Sequence, residues 1–158
     1  KINENVMGSA WFVDEIQKAT DSNQELLGLS SIDYKKTCLS TNLNNKTYPD
    51  SSENYIEIVD KRANQITYKV SSNDTGFVVF SEAFYKNGWV AKINGEITDH
   101  HKVNYLLRGL EVEKGDHEIV FTFEPNVIKT GTLLMASSNI LLLILVFFYF
   151  NNLIKNVR

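Results

Sequence analysis

The sequence has almost no cysteine: Cys38 is the only one among its 158 residues. It cannot form a disulfide bond within the chain, and no second thiol accompanies it in a metal site. An excess of positive charge is also lacking, since 16 lysine and arginine residues face 19 acidic ones. No basic stripe runs along the chain, so we expect no nucleic-acid partner. Cys38 is therefore predicted to be a small structural residue.

The start of the chain lacks the features of a secretory signal peptide. It begins at Lys1, and no basic segment followed by an apolar run comes next. The length suits one domain of ordinary size, and no internal repeat is visible. We expect the chain to be a piece of a longer protein.

The longest apolar run lies near the C-terminus, where no charged residue occurs between Lys129 and Lys155. A helix over 131–150 would be about 30 Å long, the thickness of the hydrocarbon core of a bilayer. Ten Leu, Ile, Val or Phe residues within 140–150 favour insertion by about −3 to −6 kcal/mol together. The run is apolar on all sides, which disfavours a soluble buried helix. We predict a transmembrane helix at 129–154.

Charges beyond this run predict its orientation. Lys155 and Arg158 follow it, and no acidic residue does. The positive-inside rule then makes 155–158 a short basic cytoplasmic tail and places 1–128 on the extracytoplasmic side. Lys129 on the other flank weakens this argument.

Period-two alternation of apolar and polar residues dominates the middle of the chain. It predicts strands over 54–60 and 65–72, a central strand over 76–85, and further strands on both sides of Lys114-Gly115-Asp116. Residues 89–98 are predicted to form a hairpin, because Asn94-Gly95 suits a type I′ turn with positive φ at both central positions. Short strands separated by turn residues predict an antiparallel β-sandwich.

The first third of the chain has a different pattern. Asp21 or Ser22 is a helix cap, Glu25 stands in the first turn, and Gly28 marks a stop. We predict one short helix there. The Asn- and Ser-rich stretch 40–54 is predicted to be a polar loop.

Aromatic residues near the hairpin are the candidate contact residues. Tyr85, Trp89 and Tyr105, together with Phe84, could stack on the apolar faces of sugars or fill the sandwich core. Arg108 lies among apolar neighbours and is predicted to share a strand face with Leu106 and Leu110. A buried arginine needs a partner.

Two partners remain open for Arg108. The first is a structural ion pair with Glu82 or Glu111. The second is an anionic lipid or a sugar phosphate. We therefore name Tyr85, Trp89, Tyr105 and Arg108 as the possible sugar or partner contacts of this chain.

Residue patterns of the common catalytic and metal sites are missing. His100 and His101 are adjacent, so on a strand they point to opposite faces and cannot hold one metal ion together. No Gly-x-Ser-x-Gly elbow occurs. The acids of the predicted strands show no spacing that singles out a catalytic pair. We expect no catalytic residue, cofactor or metal site in this chain.

Several motifs carry a family resemblance over nearly the whole chain. They are GSAWFVDEI (8–16), SIDYKKTCLS (31–40), FSEAFYKNGWVAKINGE (80–96), NYLLRGLEVEKGDHEIVFTFEP (104–125) and the final apolar run. In this order the chain resembles the C-terminal region of the YfhO family of bacterial integral membrane proteins. Two departures are the segment Lys86-Asn87-Gly88 and Thr98, where that family usually has proline.

The resemblance implies a role at the cell envelope. Full-length members of the family resemble C-type membrane glycosyltransferases, which have many transmembrane helices and use a polyprenyl-phosphate sugar donor. Their catalytic acids lie in early loops that have no counterpart in this chain. The chain would then be a non-catalytic accessory domain in the bacterial cytoplasmic membrane. Its partners would be the lipid bilayer, the upstream transmembrane region of the same protein and a cell-envelope glycan.

Two alternatives to this function stay open. One is a membrane-anchored module that binds carbohydrate or protein. The other is a purely structural docking domain.

Overall fold

The computed structural model describes residues 7–156, which form a β-domain up to Phe123 and a helical unit from Glu124 onward. The helices are α1 (Ser22–Gly28) and α2 (Asn126–Asn156). The strands are β1 (Ala10–Val13), β2 (Glu15–Lys18), β3 (Thr37–Ser40), β4 (Lys46–Thr47), β5 (Tyr55–Arg62), β6 (Gln65–Ser72), β7 (Gly76–Ala83), β8 (Trp89–Ile93), β9 (Glu96–Thr98), β10 (His101–Val103), β11 (Leu107–Val112) and β12 (Gly115–Phe123). The predicted fold class is confirmed: mainly β, with one short helix and a C-terminal apolar helix.

Two antiparallel sheets pack face to face and form the predicted sandwich. Sheet I has the strand order β1-β7-β11-β10, and sheet II has the order β5-β6-β12-β8-β9. Their inward side chains form one core, to which sheet I contributes Phe12, Val78, Phe80, Leu110 and Val112 and sheet II contributes Ile66, Tyr68, Val70, Ala91, Ile119 and Phe121. Full burial of such side chains stabilises by about 1.5–3 kcal/mol for each large one.

A third, three-stranded sheet covers the other face of sheet I. Sheet III has the order β3-β2-β4, and its pair β2–β3 is parallel. Strand β7 therefore has two buried faces: Val78 and Phe80 point toward sheet II, while Phe77 and Val79 pack with Ile16 of sheet III. This explains why β7 is apolar on both faces, as predicted for a central strand.

Strand β4 of sheet III lies within 40–54, which was predicted to be a loop. That stretch was expected to be a loop, yet Lys46–Thr47 pairs with Glu15 and Ile16 of β2 as an antiparallel strand. Two residues are too few to show a period. The loop prediction is wrong at this strand because long-range pairing with β2 decides its conformation.

Strand β11 begins later than its sequence suggests. Asn104 and Tyr105 adopt positive φ (48° and 68°), and Leu106 is an exposed turn residue. The prediction that Leu106 shares a face with Arg108 is therefore wrong. Arg108 instead points into the sandwich core on the same side as Leu110, and a register shift between Leu107 and Arg108 accompanies the change.

Helix α1 is confirmed, with Asp21 as its N-cap. The Asp21 side chain accepts a hydrogen bond from the backbone N–H of Gln24 (2.8 Å), which satisfies one of the donors that a helix start leaves free. Glu25 of this helix is completely buried, whereas Leu27 is exposed. The helix therefore turns a charged side chain inward, which the sequence pattern did not predict.

Helix α2 is 31 residues long. Its stretch Asn126–Tyr149 has a mean hydropathy of 2.2 and none of it is buried, so it is long and apolar enough to cross a membrane. The hydroxyls of Ser137 and Ser138 donate to the carbonyls of Leu134 and Met135, which satisfies them within the helix.

The predicted segment bounds 1–128, 129–154 and 155–158 stay predictions. Residues 1–6 of the first segment and 157–158 of the last lie outside the described residues.

Candidate functional site

The predicted β8–β9 hairpin forms as expected around its Asn-Gly turn. Asn94 and Gly95 have φ values of 52° and 89°. The Asn94 side chain accepts from the backbone N–H of Glu118 (2.9 Å) and contacts Nδ1 of His117 (3.0 Å). The turn is therefore fixed to strand β12, and the hairpin is a rigid support for the aromatic residues at its base.

Three aromatic side chains form what we call the aromatic rim: Tyr85, Trp89 and Phe123. The Tyr85 ring stacks on Phe123 with 6.4 Å between centroids, and the Trp89 ring lies 5.3 Å from Phe123. A Cβ atom at Gly88 would collide with the rings of Tyr85 and Phe123, so glycine before Trp89 permits this packing. Tyr85 is 51% exposed and Trp89 is half-buried.

Arg108 lies behind the rim in the sandwich core. It is 1% exposed, and its Nε donates to the carbonyl of Ala83 (2.9 Å). Its guanidinium carbon lies 4.3 Å from the centroid of the Trp89 ring and 5.1 Å from that of Phe121. Such cation–π contacts favour arginine. One face of the Trp89 indole is therefore covered by protein.

The predicted ion pair of Arg108 does not form. Glu82 pairs with Lys61 (2.6 Å) and Glu111 pairs with Lys46. Within the described part of the chain no carboxylate forms an ion pair with Arg108, and its buried Nη1 has no hydrogen-bond partner. Burial lowers the pKa of Arg108, and the nearby Glu82 charge acts in the opposite direction. The second possibility, an anionic ligand, stays a prediction.

A cleft of about 560 Å³, here called the hairpin cleft, opens beside Trp89. Phe84 and Trp89 are its aromatic lining residues, and Asp99 and His100 of the β9–β10 connection also line it. Lys86 adds a cation. This combination of aromatic walls with a few polar groups is typical of small-ligand sites.

His100 is half-buried in the β-domain. Its ring packs between Phe84 (5.2 Å) and Phe121 (5.6 Å), and its buried Nε2 has no partner among the described residues. Burial, reinforced by the Arg108 charge, lowers the pKa of His100 to about 4. The imidazole is therefore neutral at pH 7 and can donate or accept one hydrogen bond.

Tyr105 belongs to a different part of the β-domain from the other three candidates. Its backbone N–H donates to Oε1 of Glu25 (2.9 Å), and Nζ of Lys102 lies 5.4 Å from its ring centroid. Lys102 Nζ also lies 2.9 Å from Glu25 Oε2, an ion pair whose angles fall outside hydrogen-bond geometry. Trp89 therefore contacts Arg108 directly, and Phe123 lies between Trp89 and Tyr85. Tyr105 instead contacts Glu25 and so helps to hold helix α1 against the β-domain.

A second cleft of about 620 Å³, here called the β4 cleft, is lined by residues that include Lys46, Tyr48, Phe77 and Glu111. Sequence reasoning missed it. Its acid Glu111 accepts from Lys46 Nζ and from the Tyr48 hydroxyl (2.7 Å). Burial acts to raise the pKa of Glu111, but these two donors outweigh it and hold the pKa below its usual value. No sequence signal indicates this cleft, because β4 is too short to show a period.

The described residues offer no grouping for metal chemistry and no reactive thiol. Among residues 7–156 no group of three His, Cys, Asp or Glu residues could hold a metal ion. Cys38 is fully buried, and burial raises its thiol pKa to about 12. It is therefore inert as a nucleophile at neutral pH.

Comparison with known proteins gives a family for the chain. The model of a family described as bacterial membrane protein YfhO matches residues 30–135, which is more than half of the chain. No curated protein and no solved structure gives a significant match. The matched range includes most of the β-domain and the start of α2. The chain belongs to the YfhO family of bacterial membrane proteins, and its apolar helix associates it with a lipid bilayer.

Proposed function

We propose that this chain is the non-catalytic C-terminal part of a multi-spanning bacterial protein that resembles polyprenyl-phosphate-sugar-dependent glycosyltransferases of the cell envelope. Residues 1–128 lie outside the cytoplasmic membrane, 129–154 span it, and 155–158 form the cytoplasmic tail. The β-domain holds a cell-envelope glycan for the upstream transmembrane region. The sugar donor belongs to that region and has no site on this chain.

The hairpin cleft is the observation that supports this role. Phe84 and Trp89 give it apolar walls, and Asp99, Lys86 and His100 give it hydrogen-bonding groups. Sugars present apolar ring faces and a surrounding set of hydroxyls, so a glycan matches both kinds of group. Since Arg108 covers one face of the Trp89 indole, a sugar would contact the other parts of that ring and Phe84.

Three acids of the β-domain are each engaged by a lysine, which favours an accessory role over a catalytic one. Glu82 pairs with Lys61 and Glu111 with Lys46, while Glu25 is buried against Lys102. General acid catalysis needs a carboxyl group with a raised pKa, and the pKa of Glu111 is instead held low.

The sidedness of the β-domain is tested by thiol labelling of the natural gene product in intact cells. Cys38 is buried and unreactive, so single engineered thiols report without background from this chain. Ser52→Cys lies in an exposed turn of the β-domain, and Asn156→Cys lies in the proposed cytoplasmic tail. We expect a membrane-impermeant maleimide to label Ser52→Cys in intact cells and Asn156→Cys only after permeabilisation. The reverse pattern would exclude the extracytoplasmic assignment.

Glycan binding is tested on the 158-residue chain in lipid nanodiscs, without sugar-headed detergents that would compete. Cell-envelope polysaccharides are titrated while tryptophan fluorescence is followed. A saturable change should persist in Trp11→Phe and be lost in Trp89→Phe, with both variants folded by circular dichroism. No change in the wild-type chain across the panel would contradict a glycan-holding role.

A docking domain is the second candidate function, and exposed apolar side chains favour it. Leu27 is 73% exposed and Leu106 is 55% exposed. Leu106 adjoins Tyr105, whose backbone binds Glu25 of α1. Chemical cross-linking from this surface to the upstream transmembrane region, without any glycan binding, would favour docking over glycan recognition.

A further inference from the structure

The two clefts of the β-domain share a wall. Ile97 and Thr98 of β9, Asp99 of the β9–β10 connection and His101 of β10 line both the hairpin cleft and the β4 cleft. Ile97 is 76% exposed and forms an apolar crest between them. A ligand that fills both clefts would pass over this connection, so it must be a chain rather than a single compact molecule.

The polar side chains that line the two clefts are of two kinds: some are held by hydrogen bonds to other side chains, and others have none within the described residues. In the β4 cleft, Lys46 and Tyr48 hold the Glu111 carboxylate in one position, which preorganises it as an acceptor for ligand hydroxyls. On the shared wall, the side chains of Asp99 and His101 make no hydrogen bond to any residue in the 7–156 range. Both kinds of group suit a ligand that is rich in hydroxyls.

Charges that line the two clefts nearly cancel. Lys46 pairs with Glu111, and Lys102 pairs with Glu25. Lys86 and Asp99 remain, with opposite signs. A site for an anionic polymer needs a surplus of cations, because its affinity comes from charge neutralisation. This path has no such surplus.

From the shared wall, the free polar groups and the balanced charge, we infer that the hairpin cleft and the β4 cleft are two subsites of one groove. The groove takes an uncharged glycan chain of at least two sugar residues, with the hairpin cleft as the primary subsite and Glu111 as the main acceptor in the second. This inference rests on the glycan-holding function proposed above.

Calorimetric titration of the full chain in nanodiscs tests it. The probes are oligosaccharides of glucose, galactose and N-acetylglucosamine with one to six residues, and oligogalacturonates of the same lengths as anionic counterparts. We expect at least one uncharged series to bind about 10-fold more tightly once its length reaches two or three residues, and then to level off. Raising NaCl from low to high concentration should change its affinity less than about 2-fold, since an uncharged ligand is not screened.

Variants separate the two subsites. Glu111 lines the β4 cleft but not the hairpin cleft. Glu111→Gln should lower affinity for the longer chains about 10-fold, because the charged acceptor becomes a neutral one and its hydrogen bond weakens. It should leave monosaccharide affinity unchanged. Lys86→Gln lies only in the hairpin cleft and should affect all lengths equally.

The outcomes distinguish this inference from the function on which it rests. Binding that is independent of length, or unaffected by Glu111→Gln at every length, leaves glycan binding intact and overturns the two-subsite groove. Preference for oligogalacturonates with a steep salt dependence overturns the uncharged ligand. If no probe binds at all, both the groove and the glycan-holding function are wrong.

Discussion

Two buried charges of the β-domain are treated in opposite ways. Glu25 is completely buried, and both of its oxygens have partners: the Tyr105 N–H on one and the Lys102 ammonium on the other. Arg108 is just as deeply buried, yet no carboxylate of the described residues pairs with it. It is held by aromatic faces and one carbonyl.

The difference indicates that Glu25 is a structural charge, whereas Arg108 keeps a hydrogen-bond donor that no described residue uses. Removing an ion from water costs several kcal/mol unless partners compensate, and Glu25 has an opposite charge and one backbone donor that offset this cost. It attaches α1, which at seven residues is too short to be stable alone. Arg108 keeps an unused Nη1 donor next to the residues that wall the hairpin cleft. Stability alone does not account for a charge at this position.

The largest effect is expected at Glu25. Glu25→Ala leaves the Tyr105 N–H and the Lys102 ammonium without their acceptor, and breaking a buried pair from one side is strongly destabilising. Lys102 is partly exposed and can turn to water, so we expect a loss of about 2–3 kcal/mol in the free energy of unfolding. Denaturant titration of the full chain in nanodiscs, followed by near-ultraviolet circular dichroism, measures it.

Glu25→Gln is the matched control for that loss, because it keeps an acceptor for the Tyr105 N–H and removes only the charge. It should fall between wild type and Glu25→Ala. A loss below about 1 kcal/mol for Glu25→Ala would mean that Glu25 behaves like a surface charge, and the comparison with Arg108 would fail.

At Arg108 we expect the free energy of unfolding to depend on the volume of the side chain more than on its charge. Arg108→Met keeps most of the side-chain volume and removes an unpaired buried ion, so the free energy of unfolding should stay within about 1 kcal/mol of wild type. Arg108→Ala leaves a cavity under Trp89 and Phe121 and should lose about 2–3 kcal/mol. If Arg108→Met is as damaging as Arg108→Ala in the same denaturant titration, the charge itself is structural.

Local chemistry explains which parts of the fold could be predicted from the sequence. The β8–β9 hairpin follows from Asn94-Gly95, and the helix start follows from Asp21, because each depends on residues a few positions apart. Strand β7 is apolar on both faces, which predicts a central strand. Sheet III was not predicted, because its strands are two to four residues long and β2–β3 is a parallel pair brought together over a long connection.

The candidate site was only partly accessible to sequence reasoning. Trp89 and Arg108 were both named from the sequence, but their contact joins sheet II to sheet I, and no periodicity within one strand can indicate it. The prediction that Arg108 forms an ion pair was wrong because Glu111 pairs with a lysine of β4 and Glu82 pairs with a lysine of β5. Glu25 looked like an ordinary first-turn acid, since its burial depends on the β10–β11 turn 80 residues away.

A smaller effect, visible through pH, is expected at His100. Its folded pKa of about 4 is below the unfolded value of about 6.5, so the unfolded chain binds more protons between these values. The stabilisation is fully present above pH 6.5 and is lost as the pH falls toward 4. Thermal unfolding of His100→Phe, which keeps an aromatic ring between Phe84 and Phe121, should show a flatter decline over pH 6.5–5.

His101→Asn is the control for that pH profile. Glu111, whose pKa is also held low, loses its contribution only at lower pH and so does not confound the upper half of the window. An equal flattening in His101→Asn, or an unchanged slope in His100→Phe, would mean that a different group titrates there.

The smallest effect is the coupling between Trp89 and Arg108. Trp89→Phe retains a ring but weakens the cation–π contact, which we expect to cost about 0.5–1 kcal/mol beyond lost packing. In the Arg108→Met background that part should vanish, because no cation is left above the ring. A double-mutant cycle on the free energy of unfolding isolates the coupling.

The control cycle combines Trp89→Phe with Glu25→Gln. Its two effects should be additive, because Glu25 contacts Tyr105 and Lys102 and not Trp89. Equal coupling in both cycles would mean that the two buried charges report one global change in stability, and the contrast between them would disappear.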